Sequence, residues 1–116
     1  MADVVIWHNP RCSKSRQTLA LLEEKGHKVE VRKYLEEPPT AEEISDALDK
    51  LGIGPRELLR RGEEAYKAKG LKDPKLSDKA LIQAMVEEPK LIERPIVFAG
   101  GAAALGRPPE QVLDLF

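Results

Sequence analysis

The segment 8–22 contains the residues best suited to chemistry, because it holds the only cysteine of the chain, Cys12. It also holds three cations and no acidic residue: Arg11, Lys14 and Arg16. A positive environment favours the thiolate, the nucleophilic form of cysteine, over the thiol. The same cations would hold an anion such as an oxyanion. The segment therefore predicts a reactive thiolate beside an oxyanion site.

Cys12 lies where an apolar strand gives way to a helix. Residues 4–7 are apolar and β-branched, as in a buried strand, and Pro10 prevents their continuation. From Ser13 the pattern is helical up to Gly26, a residue typical of helix ends. Unpaired N–H groups and the peptide dipoles make a helix start positive, which favours a thiolate. The alternative is an incidental buried thiol.

Three polar residues near Cys12 are candidates for supporting roles. His8 could favour the thiolate when protonated, or it could tie down the loop backbone as a neutral ring. Asn9 and Ser15 could donate hydrogen bonds that shape the loop or stabilise the sulfur, and Ser15 could instead satisfy the helix start.

The order of elements predicts a β-α-β unit, a helical block and a β-β-α unit. Residues 28–32 alternate polar and apolar, which is typical of a strand with one buried face, and the crossover makes this strand parallel to the first. From 40 to 88 only helices are predicted. Thr40 and Glu43 form a capping-box pattern at the first of them, and residues 55–61 form the second.

Strands return near the end of the chain. Residues 95–98 and 102–105 are strand-like segments separated by a Gly-Gly turn, and a final helix follows Pro108. Trp7 and the pair Ile96 and Val97 are predicted core residues.

Composition limits the class of protein. A length of 116 residues suits one domain, 1–116, with a helical insertion at about 40–88. The net charge of -1 provides no basic field for nucleic acid, and one cysteine forms no internal disulfide. We find no signal peptide, no membrane-length apolar run and no spacing of metal ligands. A monomer located in the cytoplasm is therefore expected.

Several spaced motifs resemble the glutaredoxin-coupled arsenate reductases, the ArsC family, over nearly the whole chain. They are HNPRCSKSR at 8–16, YLEEPPT at 34–40, LLR at 58–60, LIERPIV at 91–97 and LGRP at 105–108. The resemblance implies an α/β, thioredoxin-like fold with a four-stranded mixed sheet. It also implies a cis peptide bond before Pro95, in the position where this fold places a cis proline facing the thiol.

The resemblance also implies a mechanism. Cys12 would attack arsenate, and Arg60, Arg94 and Arg107 would hold the oxyanion, for which the planar guanidinium fork is well suited. A serine, Ser15, stands where a dithiol enzyme carries its second cysteine. An external thiol must therefore resolve the adduct. The family resemblance identifies this thiol as glutathione, a co-substrate, with glutaredoxin clearing the mixed disulfide and with no bound cofactor.

Other interpretations remain open at this point. Each arginine could be an ordinary solvated side chain. The protein could be a glutathione-dependent thiol-transfer enzyme without preference for arsenate, or a regulator resembling Spx that binds RNA polymerase. Regulators of that type use a Cys-x-x-Cys switch, against which Ser15, Arg60 and Arg107 argue.

Overall fold

A computed structural model describes residues 4–116. The strands are β1 (Val4–Trp7), β2 (Val29–Arg32), β3 (Ile96–Ala99) and β4 (Ala102–Leu105). The α-helices are α1 (Ser13–Glu24), α2 (Ala41–Leu51), α3 (Pro55–Leu58), α4 (Glu64–Ala68) and α5 (Asp78–Glu87). Two 3₁₀ helices span Pro89–Leu91 and Pro109–Leu115. No helix within the described residues is long and apolar enough to cross a membrane.

The chain divides into two compact units. The sheet unit comprises residues 4–37 and 94–116, and the helical unit comprises Pro38–Glu93. The helical unit corresponds to the predicted insertion at about 40–88. That the two units form one domain stays a prediction.

The sheet unit contains the predicted four-stranded mixed sheet, with strand order β2-β1-β3-β4. β1 pairs with β2 in parallel and with β3 antiparallel, and β3 pairs with β4 antiparallel. The core beside the sheet is formed by buried side chains of β1, α1, β3 and the last 3₁₀ helix, namely Val4, Ile6, Leu22, Val97 and Val112. Trp7, Ile96 and Val97 are buried as predicted.

One local prediction for the sheet unit is wrong. The one buried face expected for β2 is incomplete, because Val31 is 40% exposed and Val29 only half-buried. β2 is an edge strand, with a neighbouring strand on one side only, so fewer side chains cover it. The predicted final helix after Pro108 is present, as a 3₁₀ helix.

The helical unit follows the capping signals of the sequence. Thr40 accepts a hydrogen bond from the Glu43 N–H at 3.1 Å, and the Glu43 carboxylate accepts one from the Thr40 N–H at 3.0 Å. This is the predicted capping box at the start of α2. Helix α3 ends at Leu58, earlier than predicted, because Leu59 pairs with Ile92 in an isolated antiparallel bridge. Long-range backbone pairing therefore overrides the helical pattern at this position.

Gly106 lies at the closest approach between two segments of the sheet unit. A Cβ at this position would lie 2.5 Å from Thr18 Oγ1 and 2.7 Å from Pro95 Cγ. The Gly106 N–H also donates to the Pro95 carbonyl at 3.0 Å, which fixes the two backbones together. We expect Gly106→Ala to lower the free energy of unfolding by about 1–3 kcal/mol, because added volume in a packed site forces neighbouring atoms apart. Urea denaturation measures this change.

Gly62→Ala is the matched control for this substitution. Gly62 has no atom within 4 Å of a built Cβ and no positive φ, so its replacement should change stability by less than about 0.5 kcal/mol. Equal stability of the two variants would contradict the close contact at Gly106.

Candidate active site

Four segments of the sheet unit meet at one end of the sheet, where the strand termini lie side by side. Trp7, the last residue of β1, is opposite both Arg32 at the end of β2 and Ile96 at the start of β3. Ile96 is in turn opposite Leu105 at the end of β4. This end of the sheet therefore carries the loops that follow β1, β2 and β4 and the segment that precedes β3.

Cys12 lies at this end of the sheet as the N-cap residue of α1, with extended backbone angles (φ −94°, ψ 123°). Its N–H donates to the Asn9 carbonyl at 3.0 Å, and its carbonyl accepts from the Arg16 N–H at 3.0 Å. The backbone N–H groups of Lys14 and Ser15 lower the pKa of its thiol. The side chain is 8% exposed. The predicted position of the cysteine at a helix start is confirmed.

Two of the three predicted arginines lie with Cys12 in the sheet unit. Arg107 Nη2 is 3.9 Å from Cys12 Sγ, and Arg107 Nε donates to the Arg94 carbonyl at 2.8 Å. Arg94 is half-buried, and its Nε and Nη1 atoms are inaccessible to solvent. The Arg94–Pro95 peptide bond is cis, as predicted. The segments before β3 and after β4 are thus linked to each other, and Arg107 links the second of them to the sulfur.

The electrostatics of this arrangement favour the thiolate. Burial raises the pKa of Cys12, but four groups lower it: the Ser15 N–H, the Arg94 guanidinium, the Lys14 N–H and the Arg107 guanidinium. The net result is a pKa below the ordinary value of 9.0. Hydrogen bonds and positive charges both stabilise the ionised form, and here they outweigh the cost of desolvating it.

The loop around Cys12 is held by hydrogen bonds between its own residues. Ser15 Oγ accepts from the Asn9 N–H at 3.0 Å and contacts His8 Nδ1 at 2.6 Å. Asn9 Oδ1 accepts from the Arg11 N–H at 3.0 Å, so this side chain accepts a hydrogen bond rather than donating one as predicted. Ser15 and Asn9 therefore shape the loop, and the Ser15 contribution to the sulfur comes from its backbone.

His8 lies on the buried side of the loop, and its environment favours the neutral ring. Burial lowers the pKa of His8, and the charges of Lys33 and Arg16 lower it further. Ser15 Oγ can accept from the Asn9 N–H and donate its own proton to Nδ1 of a neutral His8 ring. Of the two roles considered for His8, the structure favours the neutral one that fixes the loop. A protonated His8 beside the thiolate is disfavoured.

Arg60 lies in the helical unit, where two carboxylates contact it. Its Nη1 is 2.5 Å from Glu63 Oε1, and its Nε is 3.8 Å from Glu93 Oε1. Its participation in an oxyanion site stays a prediction. The sequence analysis missed both acidic partners, because Arg60 and Glu63 lie between helices, where helical spacing does not predict pairing. It also missed a second cis bond, Arg107–Pro108.

Comparisons with known proteins identify the family of this chain. A model of the ArsC family matches residues 7–115. A protein of Escherichia coli K12 named "Uncharacterized protein YfgD" is 58% identical to this chain, over 97% of this chain and 96% of that protein. An arsenate reductase of Neisseria meningitidis serogroup B is 49% identical, over 97% of each chain.

A solved structure gives the same result for the fold. The arsenate reductase from Vibrio cholerae superposes with a TM-score of 0.97 at 54% sequence identity, covering 99% of this chain and 98% of that chain. The predicted α/β, thioredoxin-like architecture is therefore confirmed. Since the family model extends from the end of β1 to the last 3₁₀ helix, and so includes Cys12, Arg94 and Arg107, this chain belongs to the ArsC family.

Proposed function

We propose that this protein is an arsenate reductase that uses glutathione and glutaredoxin as its thiol partners. The observation that carries the proposal is the environment of Cys12, whose lowered pKa and 3.9 Å contact with Arg107 suit attack on a tetrahedral anion. The similarity to proteins named arsenate reductase at 49% and 54% identity supports the same activity.

In the first step, the Cys12 thiolate attacks the arsenic of hydrogen arsenate, HAsO₄²⁻. An S–As bond forms while one As–O bond breaks, and the departing oxygen takes up two protons and leaves as water. The adduct is Cys–S–AsO₃H⁻, in which arsenic is still As(V). Arg94 and Arg107 would offset the repulsion between thiolate and arsenate and stabilise the departing oxygen. The N–H groups at the start of α1 would add to this stabilisation.

In the second step, an external thiol resolves the adduct, because Cys12 is the only cysteine of the chain. The glutathione thiolate forms an S–S bond with the Cys12 sulfur while the S–As bond breaks. The electron pair of that bond stays on arsenic, which is reduced to As(III) and leaves as H₃AsO₃ after taking up two protons. A glutaredoxin thiolate then attacks the glutathione sulfur and returns the Cys12 thiolate.

Arg60 is proposed as a third ligand of arsenate, on the strength of the family resemblance. Its guanidinium contacts Glu63 and Glu93, so arsenate binding would have to compete with these carboxylates. We further propose that the protein acts as a monomer in the cytoplasm, where glutathione and glutaredoxin keep thiols reduced.

Alkylation of Cys12 tests the proposal at its first step. Because the thiolate is the reactive form and its pKa is lowered, the rate of reaction with iodoacetamide should rise with pH and reach its midpoint below 9.0. Arsenate should slow alkylation about tenfold at a concentration ten times its Kd, since bound arsenate covers the sulfur. Mass spectrometry follows the alkylated fraction with time.

The control for alkylation is sodium chloride at equal ionic strength, because salt alone screens the arginine charges. A midpoint at or above 9.0 without protection by arsenate would contradict the proposed function.

A further inference from the structure

The sheet unit contains a cavity beside the Cys12 loop that the proposed chemistry has not yet used. Its volume is about 250 Å³, and it is lined by residues that follow β1 and β2. The lining includes Pro10, Arg11, Lys33, Leu35 and Glu36. This size is near the lower end of small-molecule sites, which span about 300–1,000 Å³, and suits part of a short peptide.

The cavity and the arginine pair lie on opposite sides of β1. In the strand order, β2 is on one side of β1, and β3 and β4 are on the other. The segments after β1 and β2 line the cavity, whereas Arg94 precedes β3 and Arg107 follows β4. Cys12 is in the loop after β1, directly after Arg11, at a Cα separation of about 3.8 Å. A ligand in the cavity and an anion at the arginines would therefore approach the sulfur from different sides.

The charges in the cavity define the ligand that it suits. Arg11 and Lys33 provide two cations, Glu36 provides one carboxylate, and Leu35 and Pro10 provide apolar surface. Within residues 4–116, neither Arg11 nor Lys33 is ion-paired with a carboxylate. Both cations are thus available to carboxylates of a ligand, and Glu36 to an ammonium group.

We propose that this cavity binds glutathione, the thiol co-substrate, and so deepens the function proposed above, on which it rests. At neutral pH glutathione carries two carboxylates and one ammonium group, which is the charge complement of Arg11, Lys33 and Glu36. Its central cysteine would lie toward Cys12. Leu35, 37% exposed, would pack against the peptide.

This placement suits the geometry of the resolving step. The glutathione sulfur forms a bond to the Cys12 sulfur while the S–As bond breaks and its electron pair leaves with arsenic, which passes from As(V) to As(III). Such a displacement needs the attacking sulfur opposite the departing arsenic. Arsenic held by Arg94 and Arg107 would depart on the β3 side, and a thiol from the cavity would arrive from the β2 side.

Reversal of one charge tests the site through thiol selectivity. We expect Lys33→Glu to lower the ratio of kcat/KM for glutathione to kcat/KM for 2-mercaptoethanol about five- to tenfold. The reason is that an attraction for a carboxylate becomes a repulsion, whereas 2-mercaptoethanol has no carboxylate. Arsenite release with each thiol gives the ratio.

Lys28→Glu is the matched control. It makes the same change of charge just before β2, at the opposite end of that strand, and Lys28 does not line the cavity. Its selectivity ratio should equal that of the wild type. A Lys33→Glu ratio that matches the Lys28→Glu ratio would overturn the proposal.

Direct binding separates this proposal from the arsenate chemistry. S-methylglutathione, which has no reactive thiol, should shift the backbone amide signals of Asn9, Arg11 and residues 33–36 in NMR spectra of the wild-type protein. Shifts confined to residues 94–107, or no shifts at all, would overturn the glutathione site. If no thiol supports arsenite release, the proposed function fails, and this titration still decides what the cavity binds.

Discussion

Cys12→Ser should lower the rate of arsenite formation by roughly 10⁴-fold or more, to the level without enzyme. A serine hydroxyl in the same place remains protonated at neutral pH and forms no S–As bond. It also forms no mixed disulfide, so neither glutathione nor glutaredoxin could restore turnover. Arsenite formed from arsenate in the presence of both thiols is the quantity to measure.

Ser13→Ala is the control for this loss, because Ser13 is exposed and lies next to Cys12 at the start of the same helix. It should keep wild-type turnover. Since Cys12 is 8% exposed, thermal unfolding should verify that the Cys12→Ser variant is folded. Glutathione-dependent arsenate reduction by folded Cys12→Ser would contradict the role of the thiolate.

The environment of this cysteine could be predicted from the sequence because most of its determinants are local. The helix start, the N–H groups of Lys14 and Ser15 and the loop contacts of His8 all lie within a few positions of Cys12. Local backbone preference and helix electrostatics act over such short separations, and sequence patterns report them well. The order of strands and helices can be predicted from the sequence for the same reason.

The features that the sequence did not reveal depend on contacts between distant segments. Helix α3 ends early because Leu59 pairs with Ile92, and Val31 is exposed because β2 is at the sheet edge. The carboxylate of Glu93 that contacts Arg60 is another example. Tertiary pairing overrides local propensity in such places. The close approach at Gly106 likewise depends on two segments that the sequence alone does not bring together.

For Arg94 and Arg107, sequence motifs and tertiary structure give complementary information. The family resemblance predicts both as oxyanion ligands, and the structure adds how they are held: Arg107 Nε donates to the Arg94 carbonyl at 2.8 Å. This bond uses Nε of the guanidinium, while Nη2 of the same fork lies 3.9 Å from the sulfur. Replacing this arginine therefore changes both a charge and a fixed geometry, which different substitutions can separate.

Arg107→Ala should lower kcat/KM for arsenate about 10²–10³-fold, because it removes a charged donor near the reacting sulfur. The pKa of Cys12 should also rise toward 9.0, since Arg107 is one of the groups that lower it. Arg107→Lys keeps the charge but not the planar fork that can bond the Arg94 carbonyl and an anion together. It should therefore keep most of the lowered pKa and still lose about tenfold or more in kcat/KM. Arsenite formation and the pH dependence of alkylation measure the two effects.

Arg61→Lys and Arg61→Ala are the matched controls, because Arg61 is an exposed arginine of the helical unit. Both should keep wild-type kcat/KM and the wild-type alkylation midpoint. If Arg107→Lys kept kcat/KM for arsenate within threefold of the wild type, charge alone would suffice, and the guanidinium fork would have no part in holding the oxyanion. If Arg107→Ala left the alkylation midpoint unchanged, the 3.9 Å contact between this arginine and the sulfur would contribute nothing to the thiolate.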